Sequence, residues 1–401
     1  MNILIIGKYP PIQGGVSSQT YWLAKGLGEK GHRVYVVSNC WEVEQTFRED
    51  LKDDDLSLLE PKNVHLFSTT PGFRSAIPYS RSYESRLMSM ALDVIQEHDI
   101  QIIYSHYLLP YGVAALMAKK ITGIPWVVQH AGSDIGRLIF HSQLKSIFLE
   151  CFRNADRTIG YANTRQRFIE NGLSLGPIVN VRRAIDISTF HPSAAPFDFS
   201  PYGIPKGSSI FTYFGKISRL KKTDEFLEAA AAIKEEDFSL VFVTESGKNL
   251  EELKKKAQVL GMGEKCVFLP FQPPWKIPGI MKASTCIVCP ESDEEPYLPK
   301  GTHGPQIARE AMAVGKPVII GRGVKEKGYY TLTKENEDIL VVDPMNRKEF
   351  AEKLRYVMGH GEEMDALGKN ARKLSEKQED FEGYVSSMEN LLRSLIRQGR
   401  R

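Results

Sequence analysis

The stretch from residue 290 to residue 320, PESDEEPYLPKGTHGPQIAREAMAVGKPVII, decides the fold class of this 401-residue chain. An apolar run ends just before it at Cys289, and a long polar loop then leads into an amphipathic segment over residues 306–314. Pro305 at its start and Gly315 after its end are typical boundaries of an α-helix. A strand, a loop, a helix and a second apolar strand are the repeating unit of a parallel α/β sheet.

The same alternation continues on both sides of this stretch. Runs that predict strands occupy residues 2–6, 33–38, 64–67, 101–104, 126–129, 157–160 and 178–181, and then 210–214, 239–243, 267–269, 285–289 and 317–320. Between the two groups, residues 191–207 carry four prolines and few periodic apolar positions, which favours a linker. We therefore predict two doubly wound α/β domains, over residues 1–190 and 208–377, with a ligand-binding cleft between them. A helix over residues 378–401 is a candidate to pack back on the first domain.

Composition excludes several classes of protein. The formal charge of +3 is small for this length, so we expect no nucleic-acid partner. Five scattered cysteines favour a reducing compartment, and the cytoplasm is the expected location. The N-terminal apolar run is too short for a signal sequence. The basic end of the chain, from Arg393 to Arg401, predicts either a solvated tail or a weak peripheral contact with the inner face of an anionic membrane.

A cationic loop opens the second domain. Lys216, Arg219, Lys221 and Lys222 follow the strand that ends at residue 214. Four cations in one loop repel each other unless an anion lies among them, and a diphosphate would pair with several at once. The alternative is an ordinary solvated loop.

The helix over residues 306–314 predicts a nucleotide site. Backbone amides near Gly304, Pro305, Gln306 and Ile307 form an anion site at the start of the helix. Glu310 lies one turn further along, where its carboxylate would accept hydrogen bonds from a pair of vicinal ribose hydroxyls. This arrangement fits phosphates at the helix end and a ribose against Glu310.

The first domain offers weaker signals. Gly14 and Gly15 precede a helix and allow close approach of an anion or sugar, although a plain tight turn explains them equally well. His130 and Asp134 follow the strand at residues 126–129, where polar side chains commonly bind ligands. His130 is therefore a candidate ligand for sugar hydroxyls, with a structural histidine as the alternative.

These motifs together resemble the retaining glycosyltransferases of family four, which have the GT-B architecture of two facing Rossmann-like domains. The resemblance is carried by Gly14-Gly15, His130-x-Gly132-Ser133-Asp134, Asp186-x-x-x-Phe190-x-Pro192, Gly215-Lys216 with Lys221, and Glu310-Ala311-Met312-Ala313-x-Gly315-x-Pro317-Val318. It implies a sugar donor of the UDP or GDP type, a carbohydrate or lipid-linked acceptor, and a part in glycan or glycolipid biosynthesis. The first domain would bind the acceptor and the second the donor.

The resemblance also assigns roles to residues. Lys216 and Lys221 would bind the donor diphosphate, Glu310 the ribose and His130 the transferred sugar, with retention of configuration and with neither a metal nor a cofactor. Asp53-Asp54-Asp55 is interpreted as a solvated acidic run rather than a metal site. The full set of expected donor contacts is Gly14, Gly15, Lys216, Lys221, Thr302, His303, Gly304, Pro305, Gln306, Ile307 and Glu310.

One departure from the family pattern leaves alternatives open. Family members usually carry a second Glu eight positions before the one that matches Glu310, where this chain has Thr302. Either Glu294 or Glu295 replaces the missing group, or Thr302 and His303 contact a different sugar. Asp134, Glu294 and Glu295 are accordingly candidate sugar contacts. An epimerase or hydrolase of nucleotide sugars, or a silent nucleotide-sugar-binding relative, are the competing functions.

Overall fold

Short runs of β-branched and aromatic residues form two fully parallel sheets in the computed structural model, which describes residues 1–71, 83–160, 164, 168–169, 177–291 and 304–398. Helices cover the sheet faces, so the central strands are mainly apolar and buried along most of their length, as in other parallel sheets. The predicted α/β class with two Rossmann-like domains is confirmed.

The first sheet has the strand order β3-β2-β1-β4-β5-β6-β7. Its strands are β1 (Asn2–Gly7), β2 (Arg33–Ser38), β3 (Val64–Ser68), β4 (Ile102–His106), β5 (Trp126–Gln129), β6 (Arg157–Ile159) and β7 (Ile178–Val179). Its helices are α1 (Gly15–Glu29), α2 (Tyr83–His98), α3 (Val113–Thr122), α4 (Gly132–Gly136) and α5 (Lys145–Asn154). The order reverses at β1, so the loops after β1 and β4 diverge at a switch point, where α/β proteins commonly bind ligands.

The second sheet has the strand order β10-β9-β8-β11-β12-β13. Its strands are β8 (Ser209–Phe214), β9 (Phe238–Thr244), β10 (Cys266–Pro270), β11 (Cys286–Cys289), β12 (Val318–Gly321) and β13 (Leu340–Val342). Its helices are α6 (Thr223–Ala231), α7 (Lys248–Val259), α8 (Ile277–Ala283), α9 (Gln306–Val314), α10 (Arg322–Lys325), α11 (Arg347–Gly359) and α12 (Gly361–Gln378). Helix α9 has the predicted bounds, whereas the three-residue strand β13 was not predicted from the sequence.

The chain divides into two compact units, Met1–Arg183 with Glu382–Arg401, and Ala184–Phe381. The last helix, α13 (Phe381–Gln398), thus belongs almost entirely to the first unit, where His32 Nε2 lies 3.2 Å from Glu389 Oε1. Met388 and Leu392 are fully buried on the inner face of this helix. The chain therefore passes between the units twice, at 183/184 and at 381/382.

The proline-rich segment over residues 191–207 differs from the expected linker because it is part of the second unit. The backbone amide of Phe197 donates to Gly279 O at 2.9 Å. Phe199 and Ile204 are buried in one cluster with Ile210 and Val241. Apolar side chains at irregular spacing thus attach this segment to the sheet, although they produce no periodic pattern in the sequence.

Candidate functional site

Loops at the carboxyl end of the second sheet bring the predicted diphosphate ligands next to carboxylates. In a parallel sheet these loops all emerge at the same edge. Lys216 follows β8, and its Nζ lies 3.2 Å from Oε2 of Glu245, which follows β9. Gly215 adopts a φ of +144°, and Tyr213 Oη donates to Lys216 O at 2.7 Å, so the loop leaves the strand in a fixed direction. The Lys216 side chain is 54% exposed and remains accessible to an anionic ligand.

Lys221 lies in the one-turn helix Arg219–Lys221, and its Nζ forms an ion pair with Oε1 of Glu291. Glu291 follows β11, so this pair joins the loops of two neighbouring strands. Lys222 has a left-handed backbone with a φ of +53°, which ends the turn and starts α6. The structure therefore brings Lys216 and Lys221 to one sheet edge, where they pair with Glu245 and Glu291.

The start of α9 is fixed by close packing. A Cβ atom on Gly304 would lie 2.4 Å from Cε2 of Tyr330, so only glycine fits at this position. Tyr330 Oη in turn donates a hydrogen bond to the carbonyl of Pro305, directly before the helix. Amides in the first turn of a helix have no acceptor inside it, and they give the helix start a partial positive charge. This packing holds the predicted anion site of Gly304, Pro305, Gln306 and Ile307 in place.

Glu310 is buried one turn into α9, with 5% of its surface exposed. Its Oε1 accepts a hydrogen bond of 2.7 Å from Nε2 of Gln306, which turns the carboxylate toward the helix start. Burial raises the pKa of Glu310 to about 7, and the hydrogen bond from Gln306 acts in the opposite direction. Helix α9 packs against β11, the strand that is followed by Glu291, the partner of Lys221.

Sequence reasoning missed Glu245, Tyr330 and Arg309 as parts of this region, and it did not predict that Glu291 pairs with Lys221. Arg309 precedes Glu310 in a helix segment that is otherwise buried, and it pairs with Glu379. A charged residue on the buried face of an amphipathic helix was the available signal. Nothing in the sequence indicated which acid would pair with it.

In the first unit, three strands end side by side at the predicted switch point. Gly7 of β1 is in register with His106 of β4, and His106 with Gln129 of β5. His106 is buried, and its Nδ1 lies 3.2 Å from Thr20 Oγ1 on α1. Gly14 precedes α1 with a φ of +112°, a conformation that favours glycine.

His130 is 1% exposed directly after β5. Its Nδ1 lies 3.2 Å from the carbonyl of Ala131, which can only accept, so Nδ1 carries the proton and Nε2 accepts from Thr164 Oγ1 at 3.2 Å. The pKa of His130 is lowered to about 4, mainly by burial and also by the positive charge of Arg183, while its hydrogen bond to the Ala131 carbonyl acts in the opposite direction. The imidazole is therefore neutral near pH 7 and acts as a hydrogen-bonding group rather than as a cation.

Asp134 has a different surrounding from the one expected for a sugar contact. Its side chain is fully buried, and its Oδ2 accepts from the amides of Ala131 at 2.8 Å and Leu108 at 3.2 Å. Burial raises its pKa to about 7, against the lowering effect of these two amides. Asp134 therefore orders the loop that carries His130 instead of presenting its carboxylate to a sugar.

The acidic run Asp53-Asp54-Asp55 is only partly solvated. Asp53 and Asp54 are exposed, but Asp55 is buried and its Oδ2 accepts from the amide of Lys52 at 2.8 Å. The expectation of a fully solvated run is wrong for Asp55, because this side chain caps the short helix Asp53–Leu59. Within the described part of the chain, no three His, Cys, Asp or Glu side chains are grouped to hold a metal ion.

Four of the predicted contacts, Glu294, Glu295, Thr302 and His303, lie outside the described residues and stay predictions. The remaining predicted residues fall into two groups, each within one unit. Gly14, Gly15, His130 and Asp134 belong to the first unit. Lys216, Lys221 and the residues from Gly304 to Glu310 belong to the second. No helix among the described residues is long and apolar enough to span a bilayer.

Each half of the chain matches a known protein family. Residues 195–374 match the family described as glycosyl transferases group 1, and residues 13–189 match glycosyltransferase family 4. Spore coat protein SA of Bacillus subtilis (strain 168) is 28% identical over 227 residues, which are 53% of this chain and 56% of that protein. D-inositol 3-phosphate glycosyltransferase of Nocardiopsis dassonvillei is 27% identical over 248 residues, which are 55% of this chain and 54% of that protein. The chain thus aligns with about half the length of these two relatives.

A solved structure resembles the whole chain. Anabaena HepE in complex with UDP and glucose has a TM-score of 0.72 and 17% sequence identity, covering 98% of this chain and 100% of its own. At this identity the likeness shows a shared fold. That fold consists of two Rossmann-like domains, as in the chain described above.

Proposed function

Because the chain belongs to the glycosyltransferases of group 1 and family 4, we propose that it transfers a sugar from a nucleoside diphosphate sugar to an acceptor hydroxyl. The observation that carries the proposal is the buried carboxylate of Glu310, one turn inside a helix whose start lies at a sheet edge with two lysines. A nucleotide has the matching groups, since its diphosphate needs cations and amides, and its ribose offers two vicinal hydroxyls. A UDP or GDP sugar is the donor class that we infer.

The lysines would act on the leaving group. As the bond to the anomeric carbon breaks, negative charge grows on the departing phosphate, and Lys216, Lys221 and the first amides of α9 would stabilise it. Glu245 and Glu291 pair with these lysines at the sheet edge. A bound diphosphate would take the place of Glu245 beside Lys216, of Glu291 beside Lys221, or of both.

We further propose that configuration is retained and that a carbohydrate or lipid-linked hydroxyl accepts the sugar, as in glycan or glycolipid biosynthesis. On this proposal the acceptor attacks the face that the phosphate leaves, and the phosphate oxygen takes the proton. His130, with its unprotonated Nε2, would accept a hydrogen bond from a hydroxyl of the sugar, which would replace that of Thr164. The anomeric configuration of the product, read by proton NMR against that of the donor, tests retention.

The first experiment is a binding comparison with Glu310→Ala. Loss of hydrogen bonds to a charged acceptor should weaken UDP or GDP binding by about 2–4 kcal/mol in calorimetry. The matched control is Glu352→Ala on α11, whose side chain is 59% exposed, and this variant should bind as the wild type does. Equal affinity of the Glu310 variant and the wild type would remove Glu310 from the site.

The replacement of the usual Glu by Thr302 favours one competing function, a silent relative that binds nucleotide sugars without turnover. A thermal-shift screen of UDP, GDP and their sugars identifies the bound donor, because a ligand of the native state raises its melting temperature. The stabilising sugar nucleotide is then incubated with the protein and candidate acceptors. Release of nucleoside diphosphate only with an acceptor supports transfer, whereas release without one indicates a hydrolase, and binding without release indicates a silent relative.

A further inference from the structure

Two guanidinium groups, the buried one of Arg309 and the largely buried one of Arg372, connect α9 to both segments at which the chain passes between its units. We propose that Arg309 and Glu379 are positioning residues for Glu310, so that nucleotide binding at Glu310 and the order of these two crossing segments depend on each other. The crossing segments are residues 184–190 and 378–381. The inference rests on the proposed function, because it assumes that α9 binds a nucleotide.

The first connection is a bidentate ion pair. Arg309 Nε donates to Glu379 Oε1 at 2.8 Å, and Arg309 Nη2 donates to Glu379 Oε2 at 2.6 Å. The Arg309 side chain is 9% exposed and that of Glu379 is not exposed at all. Glu379 Oε2 also accepts from the backbone amide of Ile185 at 2.9 Å. One carboxylate thus joins α9 to the segment that enters the second unit and to the segment that leaves it.

The second connection holds the other end of the helix. Nη1 of Arg372, on α12, donates to Ala313 O at 2.6 Å, near the end of α9. The same nitrogen lies 3.0 Å from Ile187 O and 3.0 Å from Phe190 O, both in the first crossing segment. The helix is therefore fixed at its middle and at its end to residues 184–190.

Arg309 also connects the ion pair to the helix start. Its guanidinium lies 5.0 Å from the ring centre of Tyr329, and Tyr329 packs edge-on against Tyr330 with ring centres 5.7 Å apart. Tyr330 donates a hydrogen bond to the carbonyl of Pro305, and its ring packs against Gly304. A shift of Arg309 would thus be transmitted by direct contact to both the start of α9 and its anion site.

The charges of the pair matter to Glu310 as well. The positive charge of Arg309 lowers the pKa of Glu310, and the negative charge of Glu379 raises it. Glu379 balances the positive charge of Arg309, so Arg309 does not pair with Glu310, the carboxylate that would bind ribose. Without Glu379, a buried unpaired guanidinium would be attracted to Glu310 and would compete with the nucleotide for it.

The test compares wild type, Glu379→Gln and the double variant Arg309→Met/Glu379→Leu, each with UDP and with GDP. Calorimetry gives the affinity, thermal unfolding gives the stability, and hydrogen exchange gives the protection of the amides over residues 184–190 with and without nucleotide. We expect Glu379→Gln to weaken nucleotide binding about tenfold, the scale of one well-placed hydrogen bond. In wild type the nucleotide should slow exchange at Ile185, and in the variant it should not.

The double variant separates positioning from stability, because replacing a buried ion pair by apolar side chains commonly restores stability. If the pair positions Glu310, this variant regains its melting temperature but keeps the weak nucleotide binding, since apolar contacts do not replace directed hydrogen bonds. The matched control is Arg355→Gln, which removes the exposed pair with Glu236 in the same unit and should change neither affinity nor exchange.

Two results would overturn the inference, and they are distinguishable. Tight nucleotide binding by Glu379→Gln, or wild-type protection that is confined to α9, would show that the pair has only a structural part while leaving the nucleotide site intact. Failure of every nucleotide to bind the wild type would overturn the proposed function together with the inference.

Discussion

The carboxyl group of Glu310 lies in an environment that disfavours its charge. Among the described residues, one hydrogen bond to its side chain is observed, from Gln306, and burial raises its pKa to about 7 from an ordinary value of 4.5. The folded protein therefore holds a proton on Glu310 more tightly than the unfolded chain does. A ligand that offers two hydroxyl donors would stabilise the ionised form, which agrees with a part in ribose binding.

This shift predicts a pH-dependent stability. Ionisation of Glu310 costs folding free energy that is absent when the side chain stays protonated below its unfolded pKa, near pH 4.5. The cost grows as the pH rises from there to about 7 and then levels off. We expect Glu310→Gln to melt at the same temperature as wild type at pH 4 and at a higher temperature at pH 8. A constant difference across this range would contradict the assigned environment, and Glu352→Gln is the exposed control.

The two lysines give a second prediction at this scale. Lys216→Ala and Lys221→Ala should each weaken UDP binding by about 1.5–3 kcal/mol, the range for hydrogen bonds to charged groups. Uridine, which lacks the diphosphate, should bind these variants and the wild type alike. Lys348→Ala, whose side chain is 87% exposed on α11, is the control. An equal loss for UDP and uridine would place the lysines elsewhere than at the phosphates.

At the scale of one element, the start of α9 depends on the packing of Gly304 against Tyr330, which leaves no room for a side chain at position 304. A Cβ on Gly304 would approach two ring carbons of Tyr330, at 2.4 and 2.7 Å, and Tyr330 cannot retreat without losing its hydrogen bond to Pro305. The helix start and the ring of Tyr330 are therefore a single packed unit. Proline before the helix and glycine after it are readable from the sequence, but this contact is not.

Gly304→Ala should accordingly destabilise the protein by about 1–3 kcal/mol, the cost of forcing an extra methyl group into a packed site. It should also weaken nucleotide binding, because relief of the clash moves the first turn of α9. The control is Gly361→Ala at the start of α12, where a Cβ would meet nothing within 4 Å. Urea unfolding followed by circular dichroism gives the stability, and wild-type stability of the Gly304 variant would refute the packing argument.

At the scale of the molecule, the same kind of sheet edge recurs in both units with different chemistry. The first unit presents the neutral, buried His106 and His130, whereas the second presents lysines and a helix start. On the proposed function, the cations for a leaving diphosphate would be Lys216 and Lys221 of the second unit. This division follows from the sequence of each loop rather than from the sheets, which are alike.

We therefore predict that transfer survives metal chelation. Lysines and helix amides can stabilise the leaving diphosphate without a divalent ion. Turnover with the donor found by the thermal-shift screen should be unchanged, within about twofold, after dialysis against EDTA. Complete loss in EDTA, with recovery on addition of magnesium or manganese, would contradict the mechanism and would make the Asp53-Asp54-Asp55 run a candidate metal site again.

The sequence by itself determined the class of fold and the bounds of most strands, because apolar periodicity and turn residues are local properties of the chain. It also predicted Lys216, Lys221 and Glu310 as donor-binding residues, since each lies at a strand end or a helix start that the local pattern indicates, and that role stays a prediction. Strand β13 was missed, because three apolar residues are too few to form a pattern.

Only the tertiary structure decided which groups meet. Glu379 accepts from Ile185, 194 residues away in the chain, and Lys221 pairs with Glu291, 70 residues away. It likewise assigned residues 191–207 to the second unit, and it placed the last helix in the first unit, for which the sequence had made that helix a candidate. Each of these contacts joins charged or irregularly spaced residues, whose positions carry no periodicity. Their partners are fixed only when the order of the strands in each sheet brings distant loops to the same edge.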